Sequence, residues 1–141
     1  MGRLDKTLVK QKIEHILSYL EELRPIATLS YEEFVGDKRN FRATERDLQL
    51  IVDTAVDINN HLIVSSGALP PDDYFESFTK LADIKILPRE FAENIAKSTG
   101  LRNRLVHEYE EINLSVLFED LENDINDYKQ YCKLIIERLE R

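Results

Sequence analysis

The sequence has little of what stabilises turn-rich, disulfide-bonded or membrane-spanning proteins. Its 141 residues include four glycines, four prolines, no tryptophan and a single cysteine, Cys132. One thiol cannot form an intramolecular disulfide, and nothing around it resembles a catalytic Cys/His pair, so we interpret Cys132 as a small buried apolar side chain. No stretch approaches the ~20 apolar residues of a membrane span, and the first residues lack a signal peptide's apolar core. We therefore expect a cytoplasmic protein without membrane association.

Positive charge is scarce as well. The chain has 19 Lys and Arg against 27 Asp and Glu, which gives a formal net charge of −8. Nonspecific coating of nucleic acid requires many basic residues that displace condensed counterions, so this composition argues against it. Any RNA contact must be local, and Lys97, Arg102 and Arg104 form one local basic cluster, whereas much of the negative charge falls within residues 108–127.

What the sequence does contain is helical periodicity. Apolar residues recur at steps of three and four over residues 4–23, which predicts a long first helix that ends near Pro25, because the residue before a proline avoids the α region. A capping-box pattern over residues 30–33 predicts one short turn that stops at Gly36. A second long helix is predicted over residues 40–65, with Gly67 after its C-terminus.

The second half of the chain continues the same pattern. A third helix follows the loop at residues 67–73 and is capped by an aspartate, and a fourth has Pro88 in its first turn. Gly100 lies inside that fourth pattern, so either the helix breaks at residues 98–100 or a neighbouring backbone packs closely there, and we favour close packing. A closing helix begins after Asn113. The pattern predicts one all-α domain over residues 1–141, an up-and-down antiparallel bundle of about five helices.

The segment RNRLVHEY, residues 102–109, carries several chemically capable side chains beside two apolar ones. On a helix Asn103 and His107 share a face, whereas Arg102 and His107 are about 140° apart at 100° per residue. The two serve one site if Arg102 reaches around the helix, or if two copies of the helix face each other across a twofold axis.

Arginine and histidine are the groups that metal-free RNA cleavage needs. A histidine can take the proton of the 2′-hydroxyl or protonate the leaving oxygen, and a guanidinium can bind the scissile phosphate through two parallel hydrogen bonds. The three histidines lie in different predicted helices and show no metal-ligand spacing, so we expect neither metal nor cofactor. Taken alone, the segment also fits a surface histidine beside salt-bridged arginines.

The string RN-x-LVH-x-Y, late in a chain of about five helices, resembles the signature of the HEPN superfamily. It is most similar to the HepT toxin family, whose motif continues to a tyrosine two residues beyond the histidine. The resemblance extends to residues 42–49 and 111–113 and covers nearly the whole chain. It implies an HEPN-like fold and the toxin of a type VII HEPN/MNT toxin–antitoxin system, a metal-independent endoribonuclease that acts on RNA such as tRNA or mRNA as a homodimer.

The resemblance also implies roles for individual residues. Arg102 and His107 become the catalytic pair, Asn103 becomes their polar support, and Tyr109 becomes the tyrosine that a cognate minimal nucleotidyltransferase (MNT) antitoxin AMPylates. An adenylyl group there would add a bulky anion that competes with RNA for the same arginines. Beside it we expect Arg104 to bind substrate.

Several assignments stay open. Arg42 could reach the motif across the bundle and bind substrate, although surface ion pairs made by Arg42, Arg46 and Glu45 are the simpler interpretation. His15 and His61 are interpreted as structural, and the tyrosines of the last helix, Tyr128 and Tyr131, as core or interface residues. The acidic composition favours an alternative function, a noncatalytic helical module that holds nucleotide or docks a nucleotidyltransferase.

Overall fold

In the computed structural model the protein is described over residues 3–100 and 114–141. These ranges contain six α-helices and no strand. The helices are α1 (Lys6–Ala27), α2 (Tyr31–Gly36), α3 (Lys38–Ser65), α4 (Tyr74–Asp83), α5 (Arg89–Ala96) and α6 (Leu114–Leu139). The predicted all-α bundle is confirmed, and the count exceeds the predicted five because the capping-box turn is the complete helix α2.

The helix ends follow the local sequence closely. Asp5, Asp37 and Asp73 each accept a hydrogen bond from a backbone N–H of the helix that follows, and Ser30 and Glu33 complete a reciprocal capping box. Gly67 adopts a φ of 90° after α3, a left-handed conformation that glycine reaches without steric cost. Short-range hydrogen bonds therefore fix where most of the helices begin and end.

Two predicted boundaries are wrong. Helix α1 does not end at Pro25 but continues to Ala27, with Pro25 inside its last turn. A proline so near the C-terminus removes only one intrahelical hydrogen bond, and the added turn lets Ile26 pack against the core. Pro88 is also the N-cap of α5 and not a residue of its first turn.

The fourth predicted helix is interrupted. Helix α5 ends at Ala96, Lys97 forms a turn, and helical conformation resumes at residues 98–100. A Cβ atom built on Gly100 would meet no described atom within 4 Å, so the close backbone packing that we favoured is not seen among the described residues. The helix breaks at Lys97, one residue before residues 98–100, where the sequence analysis placed the alternative break.

The core lies between α1, α3 and α6, whereas α4 packs against α3 and α5, and side chains of Phe78 and Asn94 reach α6. Helix α1 runs antiparallel to α3, because Asp5 meets His61 near one end and Lys12 meets Asp57 farther along. Every residue of the apolar stripe predicted for α3 is buried: Leu48, Ile51, Val52, Ala55, Ile58, Leu62 and Ile63. Cys132 is 2% exposed, as expected for a small apolar side chain. No helix in the described ranges is long and apolar enough to cross a membrane.

Candidate functional site

The central part of the predicted site cannot be placed. Five of its residues lie outside the described residues: Arg102, Asn103, Arg104, His107 and Tyr109. The described chain reaches Gly100 on one side of this segment and resumes at Leu114 on the other. The surroundings of these two ends, together with Arg42, are what the structure describes of the candidate site.

The approach to the motif is anchored to α6. The Oγ atom of Ser98 lies 2.6 Å from the phenolic oxygen of Tyr128, and it also donates to the carbonyl of Ile95 at 2.7 Å. The Thr99 hydroxyl is buried and donates to the carbonyl of Ala96 at 2.8 Å. The segment is therefore held against α6 at Ser98, and Thr99 is held to the end of α5.

An acidic cavity lies beside this anchor, between α5 and α6. Asp120, Asp124 and Asp127 share one face of α6, since they are spaced by four and three residues. With Asn94, Lys97, Ser98 and Asn123 they line a cavity of about 220 Å³. The Asn94 side-chain amide donates to Asp127 at 3.3 Å, so that carboxylate is partly satisfied from α5.

Asp124 is the most perturbed group of this cavity. Its Oδ2 atom is buried and has no hydrogen-bond partner among the described residues. Burial, reinforced by the negative charges of Asp120 and Asp127, raises the pKa of the Asp124 carboxyl to about 7. Near neutral pH a large share of the molecules therefore carry a proton on this side chain.

A second perturbed carboxyl lies in α3. Asp47 is 5% exposed, and its carboxyl lies within hydrogen-bonding reach of the Glu22 carboxyl of α1. Burial, then the hydrogen bond and the negative charge of Glu22, raise the pKa of Asp47 to about 7, and Arg46 opposes this. The sequence analysis missed Asp47 and Asp124. The available signals were an aspartate beside the apolar stripe of α3 and the spacing of the three aspartates of α6.

Arg42 lies on the exposed face of α3. None of the salt bridges between described residues includes Arg42, Arg46 or Glu45, so the predicted surface ion pairs are absent from that part of the chain. The guanidinium of Arg42 consequently has no described carboxylate to neutralise it.

The two described histidines, His15 and His61, have different surroundings. His15 is exposed, whereas His61 accepts a hydrogen bond from the backbone N–H of Asp5 at 3.0 Å and so holds the start of α1. A structural role is thereby confirmed for His61. In the part of the chain that is described, no group of three or more His, Cys, Asp or Glu side chains could hold a metal ion.

Comparison with known proteins gives a consistent set of relatives. The model of the family described as "Ribonuclease HepT-like" matches residues 16–135. The tRNA nuclease HepT of Aphanizomenon flos-aquae is 33% identical over 135 residues, which are 96% of this chain and 92% of that protein. The mRNA nuclease HepT of Shewanella oneidensis is 30% identical over 89 residues, or 63% of this chain and 67% of that protein.

Solved structures share the fold. The tri-AMPylated HEPN toxin of Shewanella oneidensis, in complex with its MNT antitoxin, superposes with a TM-score of 0.85 at 24% identity, covering 95% of this chain and 99% of the toxin. The cytosolic protein YutE of Bacillus subtilis gives a TM-score of 0.84 at 17% identity, with 99% of this chain and 94% of YutE covered. At these identities the likeness establishes the arrangement of helices.

Proposed function

Because this chain belongs to the HepT-like ribonuclease family, we propose that it is the RNA-cleaving toxin of a HEPN/MNT toxin–antitoxin pair. The observation that carries the proposal is the family match over residues 16–135, which includes the whole RNRLVHEY segment. The relatives named as tRNA and mRNA nucleases support RNA as the substrate.

The proposed reaction uses the chain's own side chains and no metal. His107 accepts the proton of a 2′-hydroxyl, whose oxygen attacks the adjacent phosphorus, and the bond to the 5′-oxygen of the next nucleotide breaks as that oxygen is protonated. Arg102 binds the non-bridging oxygens and stabilises their added charge, and Asn103 supports the pair. Arg104 and the exposed Arg42 contact flanking phosphates. The products are a 2′,3′-cyclic phosphate and a 5′-hydroxyl.

We propose that two copies of the chain form this site. One straight helix presents Arg102 and His107 about 140° apart at 100° per residue, whereas two facing helices bring together an arginine of one and a histidine of the other. Light scattering is expected to give the mass of a dimer. A monomer with full activity contradicts this part of the proposal.

Tyr109 is the proposed acceptor of AMP. Its phenolic oxygen attacks the α-phosphorus of ATP on the partner nucleotidyltransferase, pyrophosphate leaves, and the tyrosine proton passes to solvent. Tyr109 is two residues past His107, a separation of about 3 Å along the axis of an ideal helix, so we expect the attached phosphate to compete with RNA for Arg102 or Arg104. The AMPylated and antitoxin-bound state of the Shewanella oneidensis toxin supports this mode of neutralisation.

Substitution of the catalytic pair tests the nuclease. Arg102→Ala and His107→Ala are each expected to reduce RNA cleavage at least about a hundredfold, the contribution of one acid–base or charge-stabilising group. His15→Ala, which removes an exposed histidine of α1, is the matched control and retains activity. Cleavage is expected to survive EDTA and to leave 2′,3′-cyclic phosphate ends. Full cleavage by a folded His107→Ala protein contradicts the assignment.

Substitution of the acceptor tests the regulation. Tyr109→Phe is expected to cleave RNA normally and to escape silencing by antitoxin and ATP, and peptide mass spectrometry of the treated wild type places the adduct on Tyr109. An adduct on Tyr128 or Tyr131, which are 1% and 0% exposed, would require the bundle to open. A wild-type protein that binds antitoxin but cleaves no RNA favours the noncatalytic docking module.

A further inference from the structure

A second cavity lies at the other end of α6, and its lining is basic. It occupies about 430 Å³ between the α4–α5 connection and the last turns of α6. We name it the basic pocket, and its charged lining residues are Lys85, Arg89, Glu137, Arg138 and Arg141. The lining has four basic side chains and one carboxylate, so it is locally positive although the whole chain has a net charge of −8. This local concentration of positive charge suits an anionic ligand.

Lys85 stands where the backbone favours glycine. It follows α4 with a φ of 62°, and it is the one non-glycine residue with a positive φ in the described ranges. The turn is closed by hydrogen bonds from Lys85 N to the Ala82 carbonyl at 3.0 Å and from Ile86 N to the Leu81 carbonyl at 2.8 Å. The left-handed conformation costs a lysine roughly 1 kcal/mol, so this turn keeps an ammonium group at the pocket against its backbone preference.

The N-terminus of α5 opens onto the same pocket. Pro88, its N-cap, supplies no side-chain acceptor, and the first intrahelical bond runs from Ala92 N to the Pro88 carbonyl at 2.9 Å. The preceding N–H groups of the first turn carry the positive end of the helix dipole. Arg89 is oriented there by hydrogen bonds to Asp83 at 2.5 Å and to the Thr79 carbonyl at 3.4 Å. Glu90 in the first turn of α5 partly offsets this field.

Lys85 and Arg138 are available to a ligand. Neither belongs to a salt bridge between described residues, and both are exposed. The residues lining the pocket include no aromatic ring on which a base could stack. The pocket is therefore suited to a phosphate of an extended chain more than to a whole nucleotide.

The pocket lies far along α6 from Leu114, the first described residue after the motif segment. Along α6, Arg138 lies ten residues beyond Tyr128 and 24 beyond Leu114, or about 15 Å and about 36 Å at 1.5 Å per residue. A strand that advances about 3.4 Å per nucleotide covers the longer distance in roughly ten nucleotides. One RNA can thus reach both regions.

We propose that the basic pocket binds a backbone phosphate of the RNA substrate at a distance from the bond that is cleaved. This inference rests on the proposed function for the identity of the ligand. Lys85, Arg138 and the N-terminus of α5 would then make the local RNA contact that a protein of negative net charge needs. The affinity for RNA would depend on nucleotides that lie away from the cleaved bond.

The test measures binding without cleavage. The probe is a fluorescein-labelled, fully 2′-O-methylated RNA of roughly 30 nucleotides, which cannot react through its 2′ oxygens and exceeds the ten or so nucleotides estimated above. The variant Lys85→Gly/Arg138→Gln removes two cations and places at position 85 the residue type that its φ of 62° favours. The control Lys129→Gln/Lys133→Gln removes two exposed cations of α6 that do not line the pocket.

The pocket variant is expected to bind the probe about tenfold more weakly than the control at low salt. The slope of log K against log salt should fall by about 1.4, since each contact to a single strand contributes about 0.7. Equal affinities and slopes for variant and control, both shown to be folded by circular dichroism, overturn the proposal. Free ATP that displaces the probe at micromolar concentration from the wild type only would assign the pocket to a free nucleotide and also overturn it.

Cleavage of unmodified RNA, measured in parallel, separates the two proposals. A wild-type protein that binds the probe through the pocket but cleaves nothing contradicts the nuclease function and leaves the pocket supported. A protein that cleaves, with pocket and control variants of equal affinity, keeps the nuclease function and removes the pocket.

Discussion

Helix α6 contributes to two buried polar regions that differ in how well their hydrogen bonds are satisfied. In the first, Tyr131 donates to the side-chain oxygen of Asn59 at 2.6 Å and lies 3.2 Å from the Ala55 carbonyl. The Asn59 amide donates to Ser77 at 3.2 Å, and the Ser77 hydroxyl donates to the Tyr74 carbonyl at 2.7 Å. This network joins α3, α4 and α6 through neutral groups that all have partners.

The second region, the acidic cavity between α5 and α6, is the opposite case. Asp124 keeps one buried oxygen without a partner in residues 3–100 and 114–141, and two further carboxylates lie on the same helix face. Buried polar groups without partners are rare in folded proteins because each one costs free energy. The satisfied region stabilises the bundle, whereas the unsatisfied one adjoins the chain that leads into the motif. The unsatisfied carboxyl therefore lowers the stability of the fold next to the segment that leads into the candidate site.

The largest expected effect breaks the satisfied region. Asn59→Ala removes the acceptor of Tyr131 and the donor to Ser77 and leaves a cavity, so the free energy of unfolding should fall by about 3 kcal/mol. Urea denaturation measures it. Asn126→Ala, at an exposed position of α6, is the matched control and should change stability by less than about 0.5 kcal/mol. Similar decreases in the free energy of unfolding of the two variants would show that the network does not stabilise the protein more than an exposed side chain does.

The next largest effect concerns the acidic cavity and the pH dependence of stability that Asp124 causes. The pKa of Asp124 is raised to about 7 in the folded protein, above its ordinary value of 3.8, so folding takes up a proton. Stability should therefore decline as pH rises from about 4 to about 7 and stay low above it. Asp124→Asn removes this cost and should stabilise the protein by about 2 kcal/mol at pH 8, with little effect at pH 4.

Urea denaturation at both pH values checks this, with Glu122→Gln, an exposed carboxyl of the same helix, as the control. A decline with pH will persist in Asp124→Asn because burial and Glu22 also raise the pKa of Asp47. Equal stability of Asp124→Asn and wild type at pH 8 would contradict the interpretation of Asp124 as a destabilising buried carboxyl.

The smallest effect compares a Tyr→Phe substitution in the satisfied network with one at the Ser98–Tyr128 contact, which adjoins the acidic cavity. Tyr131→Phe leaves the Asn59 oxygen without its donor and should cost about 1.5 kcal/mol. Tyr128→Phe removes a contact to Ser98, whose hydroxyl keeps the Ile95 carbonyl, and should cost about 0.5 kcal/mol. Thermal unfolding of the two variants gives the difference. A larger loss for Tyr128→Phe would reverse the ranking of the two regions.

The sequence predicted the helices well where short-range patterns decide them. The capping box at Ser30 and the glycine after α3 both appear as expected, because each depends on atoms a few residues apart. The differences from prediction at Pro25 and Gly100 have one origin. A proline or glycine adds a local cost, but whether the helix continues depends on what packs against it, and a single sequence does not reveal that.

The same distinction between short-range and long-range contacts applies to the residues of the candidate site. The motif residues Arg102, His107 and Tyr109 can be proposed from sequence because their chemistry and spacing are local. Asp124 could not, since its burial depends on α5, and its nearest described partner region, Asn94 to Ser98, lies about 30 residues earlier in the chain. The basic pocket likewise joins residues near 85 to residues near 138.

By itself the sequence determined the helical class, the apolar stripes and the segment that carries the chemistry, because periodicity, capping and residue type act over a few residues. Only the tertiary structure decided which polar atoms lose water and which charges share a cavity. The Tyr131–Asn59 hydrogen bond spans 72 residues and the Ser98–Tyr128 contact spans 30. Desolvation and Coulomb energy depend on distance in space, and the packing of the helices sets that distance.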